Sequence, residues 1–176
     1  MVIGDPYRLA FIVERMPKWE PQNDSFRNGI MFLCVDGEVY PKDVRTTTFF
    51  SELPDILGEG SALMNVVTDK ELYTMPSDKL LAHLESITYP EDIDTDNDYR
   101  FIVPFTEIND IGFNVFLLSD GENVRVLVGQ SVNRRLSPNG FIVDDGRELA
   151  GETQITLHEL ESIRSQLAQF YDDLNK

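Results

Sequence analysis

The sequence predicts a single α+β domain, residues 1–176, with a mainly antiparallel sheet and a long C-terminal helix packed on it. Three observations carry this prediction. Two apolar runs are each followed by Asp-Gly and a second apolar run, a pattern typical of β-hairpins. The chain ends in an apolar stripe with helical spacing. Strands and helices do not alternate regularly, which argues against a parallel βαβ fold.

The N-terminal part is predicted to be mostly strand. Residues 7–14 are rich in aromatic and β-branched side chains and indicate a strand, whereas residues 17–28 hold two prolines and a polar cluster and indicate a loop. Residues 29–41 predict a hairpin around Asp36 and Gly37, because this dipeptide tolerates the positive φ angles of a type I′ turn.

The middle of the chain is predicted to be mixed. Residues 46–50 are β-branched and aromatic and predict a strand beside the first hairpin, followed by a short helix over residues 51–57. Residues 61–75 fit either a strand or a helix. Residues 76–87 predict a helix because their leucines and isoleucine recur at helical spacing.

The second half repeats the plan of strand, Asp-Gly and strand. Residues 100–108 are expected to be extended, and residues 113–129 predict a second hairpin with Asp120 and Gly121 at its turn. Turn-forming residues dominate 131–151, around one apolar piece at 141–143.

The final helix is predicted over residues 156–174. Thr156 and Glu159 stand at the spacing of a capping box, in which each side chain bonds the other residue's backbone N–H. Its apolar stripe should face the sheet and consists of Leu157, Leu160, Ile163, Leu167, Phe170, Tyr171 and Leu174.

The charge limits the classes of partner. Fifteen Lys and Arg stand against thirty-one Asp and Glu, which gives a net charge of −16. Such a surplus repels phosphate backbones and anionic lipids, so we expect no direct binding of nucleic acid or membrane surfaces. A basic partner is favoured; the alternative is that the charge only maintains solubility. The single Cys34 and the lack of a signal-peptide pattern predict a cytoplasmic protein.

Catalytic and metal-binding motifs are absent from the sequence. His83 and His158 have no second histidine at ligand spacing, and the chain has no phosphate-binding loop, dinucleotide fingerprint or nucleophile elbow. We therefore expect no enzyme activity, no cofactor and no metal. A carboxylate-based hydrolase or a ligand-binding protein remains the alternative, because paired carboxylates need no motif.

The acidic loop, residues 88–99, is the most conspicuous local feature. Its aspartates alternate with other residues, as at the start of a calcium-binding loop: Asp92, Asp94, Asp96 and Asp98. Asn97 stands where that loop needs glycine, and Val103 stands where it needs glutamate. The segment is a weak cation site, a solvated loop or a surface that faces a partner; we predict the four aspartates as partner contacts.

Several short segments, in this order, resemble those of the immunity protein 42 family: 4–7 (GDPY), 26–30 (FRNGI), 35–41 (VDGEVYP), 46–48 (TTT), 113–121 (FNVFLLSDG) and 124–128 (VRVLV). Members of this family are encoded beside toxin genes in bacterial polymorphic toxin and contact-dependent inhibition systems. The resemblance implies an antidote that binds the C-terminal domain of its cognate toxin in the cytoplasm. Many such toxins are nucleases with basic clefts, which an acidic protein could occupy. A cation-dependent regulatory or scaffold module is the second alternative.

Overall fold

Seventeen strands and helices are defined in a computed structural model that describes residues 1–20, 26–92, 94–132, 134–136, 142–144 and 146–174. The strands are β1 (Val2–Gly4), β2 (Leu9–Arg15), β3 (Asn28–Val35), β4 (Glu38–Tyr40), β5 (Thr47–Thr48), β6 (Val67–Thr68), β7 (Ile102–Val103), β8 (Phe113–Ser119), β9 (Asn123–Ser131), β10 (Arg134–Leu136), β11 (Ile142–Asp144) and β12 (Arg147–Thr156). The helices are α1 (Phe49–Ile56), α2 (Lys70–Tyr73), α3 (Ser77–Thr88), α4 (Thr106–Asn109) and α5 (Leu157–Asp173), and one 3₁₀ turn spans Pro17–Trp19.

The strands form two five-stranded sheets and one separate pair. Sheet 1 has the order β1-β2-β3-β4, with β5 also beside β3, and all its pairs are antiparallel. Sheet 2 has the order β12-β9-β8-β6, with β7 also beside β8, and only the β6–β8 pair is parallel. Strands β10 and β11 pair with each other. The predicted α+β class with mainly antiparallel sheets is confirmed.

Two apolar cores lie on opposite faces of sheet 2. The main core joins sheet 1, one face of sheet 2 and helices α1 and α5. The second core joins the other face of sheet 2 to α3. All seven residues of β8 are buried, because Val115 and Leu117 point into the main core while Phe116 and Leu118 point into the second. This explains why β8 reads as a continuous apolar run rather than an alternating one.

The C-terminal helix α5 closes the main core as predicted. Both halves of the capping box form: the Glu159 N–H donates to Thr156 Oγ1 at 3.2 Å, and the Thr156 N–H donates to Glu159 Oε2 at 2.7 Å. Leu160, Ile163 and Leu167 are buried against the sheets, so the predicted stripe is confirmed at its centre.

The two hairpins use different turns. Asp36 and Gly37 have φ angles of 52° and 79°, which confirms the type I′ turn. In the second hairpin Ser119 pairs with Val124, which leaves a four-residue loop. There the Asp120 carboxylate accepts the backbone N–H groups of residues 122 and 123, so aspartate stabilises this turn through its side chain.

Three parts of the chain differ from the prediction. Residues 100–108, expected to be extended, contain only the short strand β7 and then helix α4 from Thr106, because Phe105 and Ile108, three residues apart, both enter the main core. Only Thr47 and Thr48 of the segment 46–50 form a strand, because β3, their partner, begins at Asn28; Phe49 then starts α1. Residues 147–151, predicted as turn-rich, belong to β12, the longest of the described strands. Its pattern is broken by a bulge between residues 149 and 151, and as an edge strand it is only partly buried.

Some predicted segments fall partly outside the described residues, namely the loop 17–28 at 21–25, the acidic loop at 93, the segment 131–151 at 133, 137–141 and 145, and the domain end at 175–176. None of the helices in the described ranges has the length and apolar character needed to cross a membrane.

Candidate functional site

The acidic loop leaves the end of α3 and is attached to it by three hydrogen bonds, two of which have a side-chain donor. The Asp98 N–H donates to the Ile87 carbonyl at 2.8 Å, and Asn97 Nδ2 donates to the Thr88 carbonyl at 2.7 Å. Thr88 Oγ1 in turn donates to the Asp98 carbonyl at 3.2 Å. The last carbonyls of a helix have no partner within it, and here the loop supplies two of the missing donors. The loop is therefore held at both ends.

The four predicted aspartates have three different surroundings. Asp92 is exposed, and its carboxylate accepts the Asp94 N–H at 3.1 Å and the Thr95 hydroxyl at 3.3 Å, which shapes the local turn. Asp94 and Asp96 are exposed, and neither forms an ion pair with a described residue. The loop thus brings its carboxylates to one segment of surface, but the four do not converge on a point.

Asp98 already has a cationic partner. Arg100 donates to both of its oxygens, at 2.9 and 2.7 Å, and these hydrogen bonds hold the pKa of Asp98 below its usual range. The exposed loop carboxylates that form no ion pair with a described residue are those of Glu91, Asp92, Asp94 and Asp96. No three His, Cys, Asp or Glu side chains of the described residues are arranged to hold a metal ion.

Two exposed tyrosines flank the aspartates, and the sequence reading did not single them out. Tyr89 and Tyr99 are 45% and 52% exposed, and their rings meet edge to face with centroids 6.4 Å apart. Large aromatic side chains at a surface are frequent anchors of protein interfaces. A tyrosine at each end of an acidic segment was the sequence signal for this feature.

A cleft lies on the Tyr89 side of the loop and contains a polar network. This polar cleft has a volume of about 620 Å³. Asn114 Nδ2 donates to both Glu85 oxygens at 2.9 and 3.0 Å, and its Oδ1 accepts Asn109 Nδ2 at 2.7 Å. Arg147 Nε lies 3.6 Å from Glu85 Oε2. Asn114 is buried and the other three residues are partly buried, so these bonds stabilise the junction of α3, α4 and sheet 2.

A second cleft lies on the Tyr99 side. This tyrosine cleft has a volume of about 710 Å³ and is lined by Glu59, Gly60, Ser61, Asn65, Val67, Asp96, Asn97, Asp98, Tyr99 and Arg100. Glu59 and Asp96 contribute carboxylates that form no ion pair within the described part of the chain. The cleft therefore combines an aromatic ring with uncompensated negative charge.

The outer face of sheet 1 is a different exposed surface. Side chains that point away from the main core alternate along its strands and belong to neither core: Val2, Ile12, Ile30, Phe32 and Val39. Val2 is 51% exposed and the others are half-buried. Charged side chains are few on this face, so it lacks the electrostatic character of the acidic loop.

Comparison with known proteins identifies the fold and the family. The family model described as immunity protein 42 matches residues 1–170. This chain belongs to that family. The resemblance found in the sequence is confirmed, and immunity protein 42 membership supports a toxin-neutralising role.

A solved structure has the same fold as this immunity protein 42 member. The crystal structure of CdiI from Burkholderia dolosa AUO158 superposes with a TM-score of 0.71 at 19% sequence identity, over 96% of this chain and 99% of that chain. Comparison with the curated proteins finds none that matches. At this identity the similarity shows a shared fold, and the choice of binding surface must come from the residues of this chain.

Proposed function

We propose that this immunity protein binds the C-terminal domain of a cognate toxin in the bacterial cytoplasm and neutralises it without turnover of its own. The observation that carries the proposal is the family match over residues 1–170. The net charge of −16 favours a basic toxin, and many nucleases present a basic cleft where they hold phosphates. A basic nuclease domain is the toxin class that fits this charge.

We further propose that the acidic loop faces the toxin, with Asp92, Asp94, Asp96 and Asp98 at the contact. Asp94 and Asp96 support this most directly, because they are exposed and form no ion pair with described residues. Exposed carboxylates attract a basic partner over a distance and raise its association rate, while the tightness of a complex depends on groups that lose their water. The loop aspartates should therefore act mainly in steering.

The test is binding kinetics with the toxin domain encoded by the neighbouring gene, at two salt concentrations. A double variant, Asp94→Asn with Asp96→Asn, should lower the association rate several-fold at low salt and change the dissociation rate little. The matched control, Glu161→Gln with Asp172→Asn, removes the same charge from the exposed face of α5. Equal effects of both double variants would assign the steering to the whole molecule and remove the loop from the proposal.

Arg100 provides a variant with the opposite expectation. Replacing it by glutamine releases Asp98 from its ion pair and makes the loop more negative, so association with a basic toxin should become faster. A growth-rescue assay in cells that express the toxin tests the function itself. Failure of the wild-type protein both to bind and to rescue would refute the antidote proposal, and turnover of nucleotides, esters or glycosides by the purified protein would refute its non-catalytic part.

A further inference from the structure

We infer that Tyr99, in the tyrosine cleft, is the anchor of the toxin complex and receives a cationic side chain of the toxin, an arginine in the first instance. Glu59 and Asp96 pair with that cation, and Tyr89 supports the ring of Tyr99. This inference rests on the proposed function and names the chemistry of the group that the loop recognises. It assigns the tightness of binding to the aromatic pair and leaves long-range attraction to the aspartates.

The position of Tyr99 favours such a role because the ring is exposed but held in place. The N–H and the carbonyl of its neighbour Asp98 are both hydrogen-bonded to the end of α3, to the Ile87 carbonyl and the Thr88 hydroxyl. The ring of Tyr99 packs edge to face on Tyr89. An anchor that is already ordered loses little conformational entropy on binding. Half of its surface is still in contact with water, so a partner that covers it gains from the burial.

The charge around the cleft selects a cation as the occupant. Asp98 is neutralised by Arg100, but Glu59 and Asp96 line the same cleft without a described ion-pair partner. A guanidinium that enters the cleft would meet an aromatic face and two carboxylates. Arginine suits this combination better than lysine, because its planar group stacks on rings and can bond two oxygens at once.

The chain itself contains the same combination beside the cleft. The guanidinium carbon of Arg100 lies 5.6 Å from the ring centroid of Phe101, while its nitrogens bond both oxygens of Asp98. One cation is thus already held between a ring and a carboxylate at this surface. The polar cleft offers no comparable place, since Glu85 is engaged by Asn114 and Arg147.

The experiment compares three tyrosine variants for binding to the neighbouring toxin domain. Tyr99→Leu keeps an apolar side chain but removes the ring, and it should weaken binding about tenfold or more, chiefly through faster dissociation. Tyr99→Phe keeps the ring and should retain most of the affinity. Tyr7→Leu is the matched control, because Tyr7 is 81% exposed and precedes β2, away from the loop. Urea unfolding of each variant checks that the fold is unchanged.

A double-mutant cycle identifies the occupant. Tyr99→Leu is combined in turn with alanine substitutions of surface arginines and lysines of the toxin domain, and one arginine should show coupling with Tyr99. If no toxin arginine or lysine shows coupling with Tyr99, the cationic occupant is overturned.

The remaining outcomes separate this inference from the proposed function. If the wild-type protein neither binds the toxin domain nor rescues growth, the inference and the proposed function are both refuted. If it binds and Tyr99→Leu binds equally well, the anchor is refuted while the antidote function stands. Loss of binding on Val2→Ser instead would place the interface on the outer face of sheet 1.

Discussion

Glu52 is a buried carboxyl group whose ionisation should make the stability of the protein depend on pH. Glu52 lies on α1 and is 3% exposed. Its Oε1 accepts a hydrogen bond of 3.3 Å from the backbone N–H of Glu107, at the start of α4. Burial raises the pKa of Glu52 to about 7, although hydrogen bonds from residues 106 and 107 act in the opposite direction. The nearby Glu107 carboxyl group raises it further, and burial raises the pKa of Glu107 as well.

The sign and size follow from comparing the folded and unfolded chains. Between the usual glutamate value of 4.5 and about 7, the folded protein keeps the Glu52 proton while the unfolded chain releases it. The free energy of unfolding therefore falls as pH rises through this window. The difference between these two pKa values corresponds to about 3 kcal/mol of unfolding free energy, and this contribution is fully lost above the pKa of the folded protein. Glu52→Gln removes the ionisation but keeps an oxygen that can accept the Glu107 N–H.

The assay is urea unfolding of both proteins between pH 5 and pH 8. We expect the two to have similar stability near pH 5 and the variant to be more stable by about 2 to 3 kcal/mol near pH 8. Taking the difference between the two proteins largely cancels the effect of the other carboxylates. A stability difference that stays constant across this range would refute the reasoning, because it would mean that Glu52 ionises alike in both states.

Two further predictions concern packing, each with a matched control and measured by urea unfolding. Leu167→Ala, in the buried stripe of α5, should lower the free energy of unfolding by about 2 to 5 kcal/mol. Gln166→Ala, at the adjacent exposed position, should change it by less than about 0.5 kcal/mol. Equal effects of the two variants would contradict the packing of α5. Gly129→Ala should destabilise the protein by about 1 to 3 kcal/mol, because its new Cβ would lie 2.8 Å from Leu81 Cδ1. Gly60→Ala is the control, because a Cβ at position 60 would have no atom within 4 Å. If neither variant lowers the free energy of unfolding, the close approach of α3 to β9 is wrong.

The elements that the sequence predicted well are those whose signals are local. The capping box of Thr156 and Glu159 and the turn at Asp36 each depend on residues within a few positions of one another. Strand β12 was missed because its burial is set by β9, to which it pairs, and its bulge removes the alternation that marks an edge strand. Phe49 was placed in a strand because the sequence does not show that β3 begins at Asn28.

The candidate site was predicted in part for the same reason. Alternating aspartates are visible in the sequence, and their position after α3 followed from the helix prediction. The pairing of Asp98 with Arg100 and the contact of Tyr89 with Tyr99 depend on how the loop returns toward β7. Glu59 could not be connected to the loop at all, since it comes from the turn after α1 and meets Asp96 only across the tyrosine cleft.

The acidic loop is attached to α3 near its two ends, which separates the residues that hold the loop from those exposed in its middle. Besides the backbone bond from the Asp98 N–H to the Ile87 carbonyl, the attachment uses the side chains of Asn97 and Thr88. The side chains at positions 94 and 96 take no part in that support. Substitutions at these two exposed positions should therefore change the stability of the fold little. Under the toxin contact proposed above, the residues that meet the toxin can change while the attachment of the loop and the two cores stay the same.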